Sequence, residues 1–392
     1  MTIGTATIPT DEAELRAHLL GQVDAIADTL AACADEAERI GTLPEPAWRA
    51  LHDAGLFRLK SPRELGGFEA DPITQIEVIE RLAYIDTSAG WCMFVGSGTL
   101  SLMAAWMADE GIADFLIDGR LPRTAGGVAA NGRAEPVEGG YRLTGRWPFA
   151  SGSEHAEWLG GLAYVGESDT PVTLGFSFPK EQATLHGNWD VNALKGTGSQ
   201  DMSVTDLFVP QRHTYDNMEP SARGGPIYAI TLPGFVTNEH GAFVLGAARR
   251  AIDETAELAK TKTRGYIVPR GVAARERFQS DLGRCDVMLT AARAGLVAAS
   301  EQAWDAALAG RPVDAAMQAG MRSMAVHATE VSLEVVRTMF RYAGARSLYA
   351  GNIVDRCLRD VTAASQHGMV NEVAYEARGQ ALLGMQDIAP LT

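Results

Sequence analysis

Four long alanine-rich stretches in the second half of the chain constrain the fold more than any other feature. They span residues 238–263, 272–308, 312–342 and 352–383, and each repeats apolar residues at helical spacing. Several are longer than about 25 residues, a length typical of helical bundles rather than of short globular helices. The sequence therefore predicts a C-terminal bundle of long helices.

The first part of the chain is also predicted to be helical. Leu15, Leu19 and Val23 begin an apolar repeat at helical spacing between residues 11 and 40. Further helices are predicted for the segment "PEPAWRALHDAG", for residues 72–84 and for residues 87–108. The last of these is apolar on nearly every side, which indicates a helix buried between others.

Between residues 121 and 215 the composition changes. Glycines become frequent, and short β-rich runs alternate with turn signals at intervals of about ten residues. The runs are "YRLTGRWPFA", "WLGGLAYV", "VTLGFSF", "ATLHGNW" and "MSVTDLFV". The spacing predicts an antiparallel β-sandwich or barrel. The whole chain is thus predicted to be an α+β protein with an N-terminal helical domain (1–120), a middle β domain (121–220) and a C-terminal long-helix bundle (221–392).

Charge and cysteine usage exclude several classes of protein. The chain has 34 Lys and Arg against 49 Asp and Glu, and no basic run stands out, so nucleic acid and anionic membrane surfaces are poor partners. No apolar run reaches the roughly 20 residues that span a bilayer. The four cysteines form no CxxC pair, which argues against a zinc site or a disulfide framework and leaves no predicted metal. With no signal peptide recognised, the sequence predicts a cytoplasmic protein.

The segment "GRWPFASGSEHAEW", residues 145–158, raises a question about function. Trp147, Phe149 and Ser151 alternate as in a strand, yet Ser151-Gly152-Ser153 interrupts the apolar face. Serine and glycine together most commonly form a turn. The alternative is that these small residues face a ligand.

Three stretches carry a resemblance to a known family. They are "LPEPAWRALHDAGLFRLKSPRELGGFEADP", "GYRLTGRWPFASG" and "DRCLRDVTAASQHG". Their order along essentially the whole chain resembles the acyl-CoA dehydrogenase superfamily. "GRWPFASGSEHAEW", "LKGTGSQDMSVTDLFVP" and "RDVTAASQHG" are more similar to one branch, the oxygenase components of two-component flavin-dependent monooxygenases.

The resemblance implies a cofactor, a co-substrate and a partner. In that branch a separate NAD(P)H-dependent flavin reductase supplies reduced FMN or FAD, which reacts with O2 to give a C4a-hydroperoxyflavin. The implied reaction oxygenates an aromatic, phenol-like compound or another small organic substrate. Long apolar helices and the symmetry of most oligomers further predict a homotetramer.

His367 is the first residue to which the resemblance gives a role. Dehydrogenases place a glutamate base eight residues after the Asp of their "RDA" motif. Counted from Asp360, the eighth residue here is Gly368, and the seventh is His367. The resemblance implies that His367 takes a proton from a phenol, which suits an imidazole at neutral pH. A structural histidine at a helix end is the alternative, and Glu239 is an alternative base.

Ser151 matches the threonine of the dehydrogenase "W-I-T-N" strand. The resemblance implies that the Ser151 hydroxyl accepts a hydrogen bond from flavin N5–H, while Phe149 and Ala150 wall the isoalloxazine ring. The plain Ser-Gly turn remains the alternative.

Other positions receive binding roles from the same resemblance. Arg264 is implied to reach the flavin phosphate across a subunit boundary, although Arg270 or a plain surface arginine remains an alternative. Trp91, Thr197 and Ser199 are implied to lie on the substrate side, with a tight turn as the alternative for the last two.

One departure from the branch concerns the helix after "SAGW". Some relatives carry a histidine there, but this chain reads "FVGSGT". Either the substrate is handled without that histidine, or Ser97 or Thr99 replaces it.

Two other functions compete with the monooxygenase. An acyl-CoA dehydrogenase with tightly bound FAD would need the glutamate that is absent at Gly368. A non-catalytic member of the superfamily would have no need of Ser151 and His367.

Overall fold

The computed structural model describes residues 8–166, 172–265, 270–385 and 388. The helices before the sheet are α1 (Glu12–Ile40), α2 (Glu45–Asp53), α3 (Pro72–Ile85), α4 (Thr87–Trp106) and α5 (Asp109–Phe115). The strands that follow are β1 (Thr124–Val137), β2 (Gly140–Trp147), β3 (Trp158–Val165), β4 (Val172–Pro179), β5 (Thr184–Leu185), β6 (Met202–Pro210) and β7 (Thr214–Tyr215). The rest comprises α6 (Gly234–Thr261), β8 (Thr263–Arg264), β9 (Arg270–Gly271), α7 (Glu276–Leu308), α8 (Ala315–Ala343), α9 (Ile353–Ala364) and α10 (Val373–Leu382).

The order of elements confirms the predicted α+β fold class: helices, then a sheet, then long helices. The chain forms two compact units, each defined by the contacts among its own residues. The first unit contains residues 1–71, 91–191 and 195–229, and the second contains residues 72–90, 192–194 and 230–392, within the ranges described above. The three-domain boundaries at residues 120 and 220 stay a prediction.

The sheet of the first unit has seven strands in the order β5-β6-β2-β1-β3-β4-β7. All neighbouring strands are antiparallel except β1 and β3, which run parallel. The prediction of a wholly antiparallel sandwich or barrel therefore needs correction to a mixed sheet. Parallel neighbours require a crossover connection, and here residues 148–157 carry the chain from the end of β2 to the start of β3, which lies beside the start of β1. The Ser-Gly-Ser segment lies in this crossover.

Trp147 fills the interior of this sheet and explains its glycines. The indole is fully buried and donates its N–H to the carbonyl of Leu162 at 2.8 Å. A Cβ atom would lie only 2.4–2.6 Å from Trp147 at each of four glycines on three strands. They are Gly127, Gly132, Gly145 and Gly161. Glycine here makes room for an aromatic ring, and it does not mark turns.

In the second unit, α6 packs against α3, α8 and α9, and α7 packs against α8. Three of the four predicted long helices match α6, α7 and α8 closely. The fourth prediction, one helix over 352–383, is wrong because α9 ends at Ala364 and α10 begins at Val373. The loop between them contains His367.

Candidate functional site

The turn after β2 has an unusual backbone. Phe149 has φ +63°, in the left-handed region that aromatic residues rarely adopt, and Gly152 has φ +74°. The amide of Ala150 donates to the carbonyl of Gln200 at 3.1 Å, and the amide of Gly152 donates to the carbonyl of Thr197 at 2.9 Å. This turn is therefore fixed against the Gly-rich segment 194–201.

Four of the predicted site residues meet in one buried hydrogen-bonded cluster, which we call the serine cluster. The indole N–H of Trp91 donates to Ser151 Oγ at 3.0 Å. Ser151 Oγ lies 2.7 Å from Ser199 Oγ, which lies 2.6 Å from Thr197 Oγ1. All four side chains are buried. The family resemblance implies that Ser151 contacts the flavin and that Trp91, Thr197 and Ser199 contact the substrate. In the structure, all four belong to one hydrogen-bonded network.

The serine cluster leaves Ser151 with unused hydrogen-bonding capacity. A serine hydroxyl has one proton and two lone pairs, and an indole N–H can only donate. One lone pair of Ser151 is therefore occupied by Trp91. If Ser151 gives its proton to Ser199, a second lone pair remains for a ligand that donates. Beside it, a Cβ atom at Gly152 would meet no heavy atom within 4 Å, so the adjacent space is open.

Phe149 and Ala150 differ sharply in environment. The Phe149 ring is 68% exposed and meets Trp189 edge-on, with ring centroids 6.3 Å apart. The methyl group of Ala150 lies in the core of the sheet. The Phe149 ring thus leaves an apolar surface exposed, whereas Ala150 packs behind the turn.

His367 lies in the loop between α9 and α10, beside a second histidine. Its ring centroid is 5.3 Å from that of His240 on α6, with an angle of 35° between the planes. Burial lowers the pKa of His367. Burial, and next the proximity of His367, lower the pKa of His240 well below its usual value. Both rings are therefore neutral at pH 7.

A buried arginine holds the His367 loop in place. Arg322 on α8 is 2% exposed and donates from Nε to the carbonyl of Met369 at 3.0 Å. Its Nη2 donates to the carbonyl of Gly368 and to Asn371 Oδ1. These bonds give the loop carbonyls a cationic partner, which explains why the helix predicted through this region is interrupted. Neither Arg322 nor His240 was recognised in the sequence, because helical spacing does not show which distant loop a side chain meets.

Asp360 and Glu239, the carboxylates near the dehydrogenase motifs, lie in the second unit. Asp360 accepts hydrogen bonds from the amide of Leu194, at 2.6 Å, and from the hydroxyl of Thr87, so its role is structural. Glu239, the alternative base, is fully buried on α6. Position 368 is glycine, so the dehydrogenase base is absent there.

Arg264 meets the C-terminal end of α8. Its guanidinium donates to the carbonyls of Arg341 at 2.6 Å and Tyr342 at 3.1 Å. Lys262 donates to the next carbonyl, that of Ala343. Burial, followed by the charges of Arg264 and Arg346, lowers the pKa of Lys262. The two side chains cap the helix and gather positive charge at its end.

Ser97 and Thr99, offered as substitutes for a missing histidine, lie on α4. The Ser97 hydroxyl is buried and makes no hydrogen bond within the described residues. In the same part of the chain, no cluster of three or more His, Cys, Asp or Glu could hold a metal ion, and no helix could span a membrane.

Two family models match the chain. The acyl-CoA dehydrogenase N-terminal domain matches residues 14–116, and the acyl-CoA dehydrogenase C-terminal domain matches residues 239–372. The fold and the two matched regions together define a protein of the acyl-CoA dehydrogenase superfamily.

Comparison with individual relatives shows which group within the superfamily the chain belongs to. An indole-3-acetate monooxygenase from Pseudomonas putida is 32% identical, with 85% of each chain covered. The oxygenase subunit HsaA of a flavin-dependent monooxygenase from Rhodococcus jostii is 26% identical, over 93% of this chain and 98% of that one. The structure of XiaF from a Streptomyces species, in complex with FADH2, superposes with a TM-score of 0.87 at 26% identity, over 97% and 98% of the two chains. The chain belongs to the flavin-dependent monooxygenases of this superfamily, which confirms the main prediction over the dehydrogenase alternative.

The residues of the first unit fit a reduced flavin. Reduced flavin carries a proton on N5, which needs an acceptor, and Ser151 Oγ keeps a lone pair for a donor when its own proton goes to Ser199. The exposed ring of Phe149 supplies the flat apolar surface that a tricyclic ring system requires.

Proposed function

We propose that this chain is the oxygenase component of a two-component system that hydroxylates an aromatic, phenol-like or indole-like substrate. A separate NAD(P)H-dependent reductase supplies reduced FMN or FAD. The name of the Pseudomonas relative supports an aromatic substrate, and the term "oxygenase subunit" in the name of the Rhodococcus relative supports a partner reductase. The requirement for NAD(P)H and for freely diffusing reduced flavin fits a cytoplasmic enzyme.

The observation that carries this proposal is the serine cluster. When bound, the reduced flavin would transfer two electrons to O2, delivering one oxygen atom to the substrate while the other leaves as water. The task of Ser151 is to keep the N5 proton in place until that transfer is complete. Trp91 occupies one lone pair of Ser151 Oγ, because an indole N–H can only donate, so the Ser151 proton has to point elsewhere.

Two further residue groups support the flavin. Phe149 is proposed to cover one face of the ring and exclude water, which protects reactive intermediates from hydrolysis and proton loss. Arg264 is proposed to bind the flavin phosphate together with Lys262. Because guanidinium groups bind phosphate in a fork of two hydrogen bonds, the positive charge at the end of α8 suits this role.

His367 is proposed to contact the substrate at its polar ring substituent. Its loop is held by a buried arginine, which is the rigid support that a positioned catalytic side chain requires. Thr197 and Ser199 are proposed to serve Ser151 directly and the substrate only through it.

We also propose a homotetramer. Several large apolar side chains of the second unit are mostly exposed in the single chain, which indicates a surface covered by other copies. They include Leu348, Tyr349, Leu382 and Leu383. Light scattering at micromolar concentration is expected to give the mass of four chains, and a monomeric mass would rule the assembly out.

The function can be tested with a generic flavin reductase, NADH and FMN or FAD. Indole-3-acetate and resorcinol serve as probes, and isotopically labelled O2 identifies the source of the new oxygen. We expect a product carrying one labelled oxygen atom, formed only when reductase and chain are both present. Labelled peroxide without labelled product, together with anaerobic reduction of bound FAD by an acyl-CoA, would instead support a dehydrogenase.

A further inference from the structure

The backbone amide of Met369 decides which nitrogen of His367 carries a proton. This amide donates to His367 Nδ1 at 3.2 Å. A backbone N–H can only donate, so Nδ1 must hold its lone pair toward Met369. In the neutral ring the single proton then lies on Nε2.

The Met369 peptide is itself fixed on its other side. Its carbonyl accepts from Arg322 Nε at 3.0 Å, and the preceding carbonyl, of Gly368, accepts from the same guanidinium at 3.4 Å. Asn371 Oδ1 accepts a further bond at 3.1 Å. The tautomer of His367 is thus determined by a loop that a buried cation holds in place.

Protonation of His367 is opposed by its surroundings. A doubly protonated ring would turn an N–H toward the Met369 N–H, so the hydrogen bond would be lost. Burial lowers the pKa of His367, and the neighbouring ring of His240 is itself buried and neutral. The ring therefore stays neutral, with Nδ1 occupied and Nε2 protonated.

Neither ring nitrogen then offers a lone pair to a substrate. We infer that His367 serves the substrate as a neutral hydrogen-bond donor through Nε2–H and does not act as its proton acceptor. This inference rests on the proposed function, which puts His367 at the substrate. It revises the base role that the family resemblance implied.

A hydrogen-bond donor at His367 Nε2 limits which substituents of the substrate can bind there. The atom that meets Nε2–H must have a lone pair, as a phenolate or carboxylate oxygen does. Resorcinol can supply a phenolate oxygen, and indole-3-acetate can supply its carboxylate. Unsubstituted indole has only a donating ring N–H, as in the tryptophan side chain, so it cannot make this bond. The site thus favours aromatic compounds that carry an oxygen substituent able to accept a hydrogen bond.

The tautomer of His367 can be measured in the absence of cofactor and substrate. Nitrogen-15 NMR of the full chain at pH 7, with the His367 signals assigned by their loss in His367→Gln, is expected to show a protonated Nε2 and an unprotonated Nδ1. A protonated Nδ1 would overturn the inference.

Three variants separate a donor from a base during turnover. Gln places an amide N–H near the position of Nε2, whereas Asn reaches only the position of Nδ1, and Ala reaches neither. A proton acceptor typically contributes about 10²–10⁴-fold to rate, and an amide cannot replace it. With resorcinol we expect His367→Gln to stay close to the wild type, and His367→Asn and His367→Ala to lose about ten- to a hundredfold, as for the loss of one strong hydrogen bond. Thermal melting of each variant checks that the loop still folds.

If His367→Gln is as inactive as His367→Ala while its melting is unchanged, the donor role is wrong and the proposed function stands. If the wild-type chain forms no oxygenated product from either probe, the proposed function fails and this inference fails with it. A calorimetric comparison adds a binding test. His367→Ala should weaken the binding of resorcinol and indole-3-acetate and leave indole unaffected, and equal weakening of all three would contradict the assignment.

Discussion

Among single residues, the proposed function makes the Ser151 hydroxyl the group on which efficient use of O2 depends. It accepts from Trp91, and when it gives its proton to Ser199 it keeps one lone pair for a ligand that donates. A serine in an ordinary turn would have no need of two fixed neighbours. The cost of losing this arrangement should appear as wasted peroxide, beside the loss of stability that follows when Trp91 and Ser199 lose this hydrogen-bond partner.

Ser151→Ala removes the acceptor and Ser151→Thr keeps it. A buried hydrogen bond is worth roughly 1–3 kcal/mol, so the ratio of released hydrogen peroxide to product should rise by about five- to a hundredfold in Ser151→Ala. Ser151→Thr should stay close to the wild type. The ratio is measured from O2 consumed, product formed and peroxide released. An unchanged ratio in Ser151→Ala would mean that the segment simply turns.

Trp91→Phe tests whether the indole N–H orients Ser151. The substitution preserves an aromatic ring against Phe94, whose centroid lies 5.1 Å away, but removes the donor. A single neutral hydrogen bond contributes about 0.5–1.5 kcal/mol, so peroxide release should rise by about two- to tenfold relative to product.

Ser153→Ala is the matched control for Trp91→Phe. The Ser153 hydroxyl is equally buried in the same turn and makes no hydrogen bond within the described residues. It should leave the ratio unchanged. A comparable rise in both variants would point to a general disturbance of the turn.

At the scale of elements, the glycines of the sheet act together with Trp147. Gly161→Ala would place a methyl group about 2.4 Å from the indole, a distance that requires the ring or the strand to move. Overpacking of this kind costs typically about 1–3 kcal/mol in unfolding free energy. Denaturant titration of the purified chain should show this loss.

Two further variants check the cause of that loss. Gly283→Ala, on α7 where no atom lies within 4 Å of the new methyl, should stabilise the chain by about 0.5–1 kcal/mol. Trp147→Phe should cost less in the Gly161→Ala background than in the wild type, because the smaller ring relieves the clash. Additive effects of the two changes would refute the explanation.

At the scale of the whole molecule, buried histidines make the folded state sensitive to mild acid. Burial, and then the charges of Lys180 and Arg123, lower the pKa of His155 to about 4, against 6.5 for an unperturbed ring. Burial also lowers the pKa values of His213, His240 and His367. Between pH 6.5 and about 4, these histidines bind more protons in the unfolded chain than in the folded chain. The free energy of unfolding therefore falls as the pH drops from about 6.5 toward 4.

Denaturant midpoints at pH 7.5 and pH 5 should therefore differ, with the lower midpoint at pH 5. His155 bonds Thr42 and stacks on Trp48. His155→Gln should reduce the difference between the two midpoints, since it removes one of the groups that charge on unfolding. A difference equal to that of the wild type would show that the other histidines dominate.

The helical parts of the fold could be predicted from the amino-acid sequence. The apolar repeats of α1, α6, α7 and α8 are local, because each residue's neighbours on the helix face lie three or four positions away. Motifs along the chain likewise indicated the family, the site turn at Ser151 and the histidine in place of the dehydrogenase base.

The contacts between distant side chains could not be predicted from the sequence. The glycines of β1 resemble turn signals in the sequence, but in the structure they make room for the ring of Trp147. The sequence likewise predicts a helix through His367, but in the structure Arg322 binds the carbonyl groups of a loop there. Trp91 and Ser151 are 60 positions apart, and the partners of Arg322 are 46 to 49 positions away. Contacts between residues so distant leave no periodic signal in a single sequence. The hydrogen-bond partners of Ser151 and the tautomer of His367 depend on such contacts, so they could be identified only from the folded chain.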